Sequence, residues 1–158
     1  MDSLFDTISG LPVHALVVHA VVVFVPLTAI GAVLIAVRPS FSRRFGIIVV
    51  IFGAIGAVAS LVAKQSGYEL AKRVGTPEAH ESLGTWMPLF AIGLFILVLV
   101  FWMFDRGIPS NVPRPTWMKV FAVVVIGGAI LALWWTFRVG DSGARAVWEP
   151  IVQNTTPR

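Results

Sequence analysis

The chain has 158 residues, of which 57% are apolar, 13% are charged and none is cysteine, and its mean hydropathy is +0.86. A soluble domain carries about a quarter charged residues, so this composition would leave bare hydrocarbon in water and points to an integral membrane protein. The missing cysteine excludes disulfides, thiolate metal sites and iron–sulfur clusters, and the 12 Lys+Arg against 8 Asp+Glu fall in loops and helix ends, where they signal topology and no nucleic-acid binding.

The first apolar run covers residues 13–37 and is broken only by His14, His19, Pro26 and Thr28. A bilayer span needs about 20 apolar residues, so this run crosses with some tilt. It is too long for a cleaved signal peptide and lacks a basic start. Three more runs follow, over about residues 45–63, 86–104 and 120–137. The expectation is an all-α bundle of four transmembrane helices forming a single domain over residues 1–158. In the second joint, Tyr68, Leu70, Ala71 and Val74 have helix-like spacing, which predicts a short interfacial helix. The third joint carries Pro109, Pro113 and Pro115 and is expected to be extended. Ser66-Gly67 and Ser142-Gly143 read as helix terminations.

Charge sets an orientation. The joints after the first and third runs hold Arg38, Arg43, Arg44, Arg106, Arg114 and Lys119 against one acid, Asp105. The other face holds Lys64, Lys72, Arg73, Arg138, Arg145 and Arg158, but the first set lies in short loops close to span ends. The expected place is a bacterial plasma membrane, crossed several times, with both termini extracytoplasmic. Trp86, Trp134 and Trp135 then fall at the outer interface, and Trp102 and Trp117 at the inner one.

The two halves echo one another. Pro26-Leu27-Thr28-Ala29-Ile30-Gly31 parallels Pro88-Leu89-Phe90-Ala91-Ile92-Gly93, with looser echoes of Pro12-Val13-His14 in Pro77-Glu78-Ala79-His80 and of Ser66-Gly67 in Ser142-Gly143. This predicts two repeated helical hairpins related by an axis along the membrane normal.

Three histidines are present, His14, His19 and His80, all on the same side by this topology. Measured from the two prolines, His19 lies seven residues before Pro26 and His80 eight before Pro88. If the segment before the third span is helical, these are equal depths, and His19 and His80 become the expected pair of axial ligands to a b-type haem. Two imidazoles also begin a zinc or copper site. His14 stands about 140° round the helix from His19, so the two do not share a face. His14 is placed to bond a haem propionate, a quinol or the backbone. Lys64 and Arg138 close the second and fourth spans, where they would pair with propionates or snorkel to the interface. Walker, nucleophile-elbow and dinucleotide motifs are absent, as is any acid at mid-span, which disfavours transport of metals or small solutes.

Gly10-Leu11-Pro12-Val13-His14, Val18-His19, Ser66-Gly67, His80-Glu81-Ser82-Leu83-Gly84 and the block of residues 140–148 together resemble the bacterial membrane family known as domain of unknown function 2231, in its actinobacterial form. The resemblance covers about residues 10–148. That family typically shows His-Pro at its first histidine, whereas His14 is followed here by Ala15. The resemblance implies that His14, His19 and His80 are characteristic positions. Some relatives look joined to Rieske-type iron–sulfur domains, which by analogy implies redox work. The leading expectation is a haem-binding electron carrier, or a haem-bearing subunit of a respiratory assembly fed by a Rieske-type or cytochrome donor. The alternatives are a cofactor-free structural subunit and a transporter. An electron carrier or accessory subunit is favoured over an enzyme.

Overall fold

The computed structural model describes residues 5–75 and 77–155, so Arg158 lies outside the described residues. Proline sets where each helix begins. Pro12, Pro77 and Pro115 precede α1 (Val13–Val37), α3 (Glu78–Gly84) and α5 (Thr116–Gln153), while Pro39 and Pro88 occupy the first turns of α2 (Pro39–Val74) and α4 (Met87–Arg106). At these positions the fixed φ is already helical and the missing N–H costs nothing, because first-turn donors have no intrahelical acceptor.

Four stretches are long and apolar enough to cross a membrane: Val13–Val37, Pro39–Val74, Glu78–Arg106 and Thr116–Gln153. Ahead of α1, strands β1 (Thr7–Ile8) and β2 (Leu11–Pro12) form a small antiparallel hairpin. Its turn needs positive φ at both central residues, which Ser9 (51°) and Gly10 (80°) supply. Asp6 makes a bidentate ion pair with Arg73 near the end of α2, and that guanidinium holds the Asp6 carboxyl below the usual carboxylate range.

Helix α1 packs on α2 and α5, and α4 packs on the same two, so the order round the bundle is α1–α2–α4–α5. This is the cyclic order that two repeated hairpins require. The seam is made mainly of small and β-branched side chains, with Ala29, Ala32, Ile35, Val98, Val125 and Ala129 fully buried together with the ring of Phe101. Gly31 lets α2 approach so closely that a Cβ there would lie 2.7 Å from the Val49 methyls. Outward-facing Val58, Ile130 and Phe137 are more than half exposed and present hydrocarbon to lipid.

Two helices differ from the sequence reading. Residues 68–74 are the last turns of α2 and form no separate interfacial helix. Ser66-Gly67 and Ser142-Gly143 do not terminate helices either, since α2 runs on to Val74 and α5 to Gln153. At about 1.5 Å per residue, 36 and 38 residues give helices roughly 54 and 57 Å long, against a hydrocarbon core of about 30 Å. Both therefore project well beyond the bilayer at the end where the histidines lie. The polar turns after each glycine keep their helical hydrogen bonds because helix formation propagates more easily than it starts.

The opposite end is held by one side chain. Pro39 has no N–H, so the Ile35 carbonyl in the last turn of α1 lacks the donor four residues on. Arg114, from the non-helical joint before α5, fills the place: Nη2 donates to Ile35 O at 2.8 Å and Nη1 to Ala36 O at 2.5 Å. The same guanidinium binds Asp105 in α4 through Nε (2.6 Å) and Nη2 (2.8 Å) and lies 5.1 Å over the Phe101 ring. Asp105 is 1% exposed. Removing one partner of a buried pair leaves an uncompensated charge, a loss of about 3–5 kcal/mol. Arg114→Ala is therefore expected to destabilise the folded protein by that amount in a denaturant titration in micelles, whereas Arg44→Ala, at an exposed position, is expected to change it by less than about 1 kcal/mol.

Candidate functional site

Two histidines meet where α2 and α5 leave the bundle. His14, in the first turn of α1, and His80, in α3, lie with ring centroids 6.1 Å apart and planes at 75°. Both are half-buried.

The hydrogen-bond partners fix which ring nitrogens carry protons. His14 Nδ1 is 2.8 Å from the Ala63 carbonyl, which can only accept, so Nδ1 is the protonated nitrogen. His80 Nδ1 is 3.1 Å from Ser142 Oγ. The Ser142 hydroxyl already donates its one hydrogen to Val139 O at 2.8 Å, so here too the imidazole donates. In each neutral ring Nε2 is then left as the bare lone pair. Metal-binding histidines are typically oriented this way, with the second nitrogen donating to a carbonyl or another fixed acceptor.

The Ser-Gly steps now acquire a role. A Cβ on Gly67 would stand 3.2 Å from His14 Cε1 and Nδ1, and a Cβ on Gly143 would stand 3.0 Å from His80 Cε1. Ser142 holds His80, and Ser66 caps the Val62 and Ala63 carbonyls beside His14. The two halves of the chain thus build related half-sites, each a histidine against a Ser-Gly step on a long helix.

His19 is elsewhere. It is exposed, and its Nδ1 is bonded to Ala15 O of its own helix at 2.6 Å. The structure brings His80 to His14 and not to His19. The proline measure required an unbroken helix from His80 to Pro88, but α3 ends at Gly84 and the chain turns through Thr85–Trp86 before α4. Trp135 braces this turn by donating Nε1 to Leu83 O at 3.2 Å while stacking on Phe90 at 4.3 Å. Lys64 is half-buried and directly follows Ala63, the residue whose carbonyl holds His14. Arg138 is exposed and lies 5.5 Å over the Trp134 ring. No group of three or more His, Asp or Glu converges among the described residues.

Sequence reasoning missed the His14–His80 pairing. The signal was present in the looser echo of Pro12-Val13-His14 in Pro77-Glu78-Ala79-His80, which aligns the correct two histidines. The model of the family described as predicted membrane protein (DUF2231) matches residues 10–156, and the chain belongs to that family. No curated protein and no solved structure matches it significantly. Family and helices together make it a multi-pass membrane protein.

Filling the space beside His80 tests the packing. Gly143→Ala is expected to destabilise the protein by about 1–3 kcal/mol through overpacking. Gly93→Ala, where a Cβ would meet nothing within 4 Å, is expected to be neutral or stabilising in the same thermal-unfolding measurement.

Proposed function

We propose that the protein is a small haem-binding electron carrier of the membrane, or the haem-bearing subunit of a respiratory assembly, with His14 and His80 as its axial ligands. The observation that carries this reading is the pair of orthogonal imidazoles, each oriented through Nδ1 and each left with a bare Nε2. The ring centroids are 6.1 Å apart, close enough for one bound group to meet both.

The donor set favours haem over a bare ion. A protein-only zinc site takes three or four ligands, and only two converge here among the described residues. A porphyrin brings four nitrogens of its own and needs two axial donors. Gly67 and Gly143 let the two imidazoles lie directly against α2 and α5, which holds each ring in place. Bound haem would supply one-electron transfer. The chain's part is to orient both imidazoles through Nδ1 and to fix their planes. Lys64 is the nearest cation in sequence to the His14 anchor and is the residue we assign to propionate pairing, with Arg138 second because it is spread over Trp134. His19 takes no part in ligation.

A cofactor-free structural role is the second reading. Its support is that both Nδ1 atoms already bond protein groups and that the two rings touch edge to face, tying α1 to α2 and α3 to α5. A transporter has less behind it, since the buried carboxylate Asp105 is already neutralised by Arg114.

A reduced-minus-oxidised absorption spectrum of the protein purified from its native membrane separates these readings. A b-type signal is expected, lost in His14→Ala and in His80→Ala and retained in His19→Ala. Absence of any such signal in the wild type would leave the structural reading.

We also propose that both termini and the histidine end face away from the cytoplasm, on the strength of the basic short loops at the other end. In intact bacterial cells, Glu78→Cys is expected to react with an impermeant thiol reagent and Ser110→Cys to stay unlabelled. The reverse pattern would invert the orientation.

A further inference from the structure

At the end opposite the histidines, the α1–α2 joint and residues 107–115 enclose an open cavity of about 370 Å³. Its lining includes Arg43, Ser110, Asn111 and the Asp105–Arg114 pair. The charge around it is unbalanced. Residues 38–44 and 105–119 carry Arg38, Arg43, Arg44, Arg106, Arg114 and Lys119, and the one acid among them, Asp105, is committed to Arg114. Arg44 and Arg106 lie over the Phe45 and Trp102 rings at 5.2 and 4.7 Å, which leaves their charges uncompensated. Arg43 has no hydrogen bond or ion pair among the described residues, and it opens onto the cavity.

The donors present suit one kind of group. Arg114 spends four of its five N–H bonds on Asp105, Ile35 and Ala36, leaving one. Arg43 adds a full guanidinium, and Ser110 and Asn111 add a hydroxyl and an amide without other partners among the described residues. The cavity also adjoins the N-terminal turn of α2, the positive end of a 36-residue helix. Its depth is marked by Phe104 and Trp117, half-exposed rings in edge contact at 5.4 Å, as aromatic side chains lie at the headgroup level. Basic pockets between spans at this level bind acidic headgroups.

We propose that this cavity binds a phosphate group, supplied by the headgroup of an anionic phospholipid, with Arg43 as the principal contact and Ser110, Asn111 and the remaining Arg114 N–H as further donors. The bound lipid would bridge the α1–α2 joint to the proline-rich segment before α5. This site is separate from the histidine pair and stands or falls independently of the haem reading.

The test uses the full-length protein in phosphatidylcholine nanodiscs, in the same discs with increasing phosphatidylglycerol, and in phosphatidylcholine discs with inorganic phosphate. Thermal unfolding is followed, and lipid retained after transfer to detergent is counted by native mass spectrometry. Phosphatidylglycerol is expected to raise the unfolding midpoint, with one molecule retained per chain. Loss of one charge-assisted contact weakens binding about tenfold or more, the effect expected for Arg43→Gln. Arg44→Gln, whose cation lies over Phe45 and outside the cavity lining, is expected to weaken it by less than about threefold, as a screened surface charge would. Equal weakening by the two variants would mean diffuse surface attraction and would overturn the pocket, as would a wild type indifferent to phosphatidylglycerol. Stabilisation by inorganic phosphate, abolished by Arg43→Gln and with no lipid retained, would keep the phosphate site and overturn the lipid as its source.

Discussion

The last carbonyls of a helix have no intrahelical donor, and a proline that follows the helix removes the next N–H as well, so the protein has to supply a donor from elsewhere. The α1–α2 joint shows this constraint. Two spans are joined through Arg38 alone, and Pro39 starts the second helix while removing the donor for Ile35 O. Arg114 reaches back from 75 positions on, measured from Pro39, and makes good the loss. A guanidinium is suited to this because its donors fan out in a fixed plane, so one edge takes the helix end while another takes a carboxylate. The neutralised Asp105 then ties α4 to the same point, and a single residue fixes the relative positions of α1, α4 and the start of α5.

Much of this architecture is legible in the sequence, because hydrophobic length alone dictates spans. The first helix has the bounds that its apolar run has, and the proline-rich third joint is non-helical, although it runs through turns at residues 107–112 where an extended chain was expected. The overruns of α2 and α5 were less legible. Hydropathy reports where lipid ends and not where helical hydrogen bonding ends, and the polar residues after Ser66 and Ser142 are compatible with a helix in water. A Ser-Gly step is ambiguous on its own. It can stop a helix, or it can let a bulky ring lie against one, and only the ring's position decides. Here His14 and His80 occupy the space that a Cβ would take at Gly67 and Gly143.

The Arg114 clamp was written in the chain and hard to read. A lone acid among basic loops, nine residues before an arginine, signals an ion pair, but nothing local says that the pair is buried. The histidine pair shows the opposite failure. A strong local echo, the six-residue segments beginning at Pro26 and Pro88, aligns His19 with His80 when it is read as a depth scale. Pro26 sits in mid-helix, whereas Pro88 lies in the first turn of α4, so equal spacing from them does not mean equal depth. The weaker echo before each first helix, ending in His14 and His80, reflects the spatial correspondence.

The 140° between His14 and His19 carries a consequence for the chemistry. Since one face of α1 is committed to α2 through the His14–Ala63 bond, His19 has to face away from that partner, and it bonds its own helix instead. His80 comes to the committed face because α3 packs on α5 and its Nδ1 is taken by Ser142. The two imidazoles are thus oriented by different long helices, α2 for one and α5 for the other.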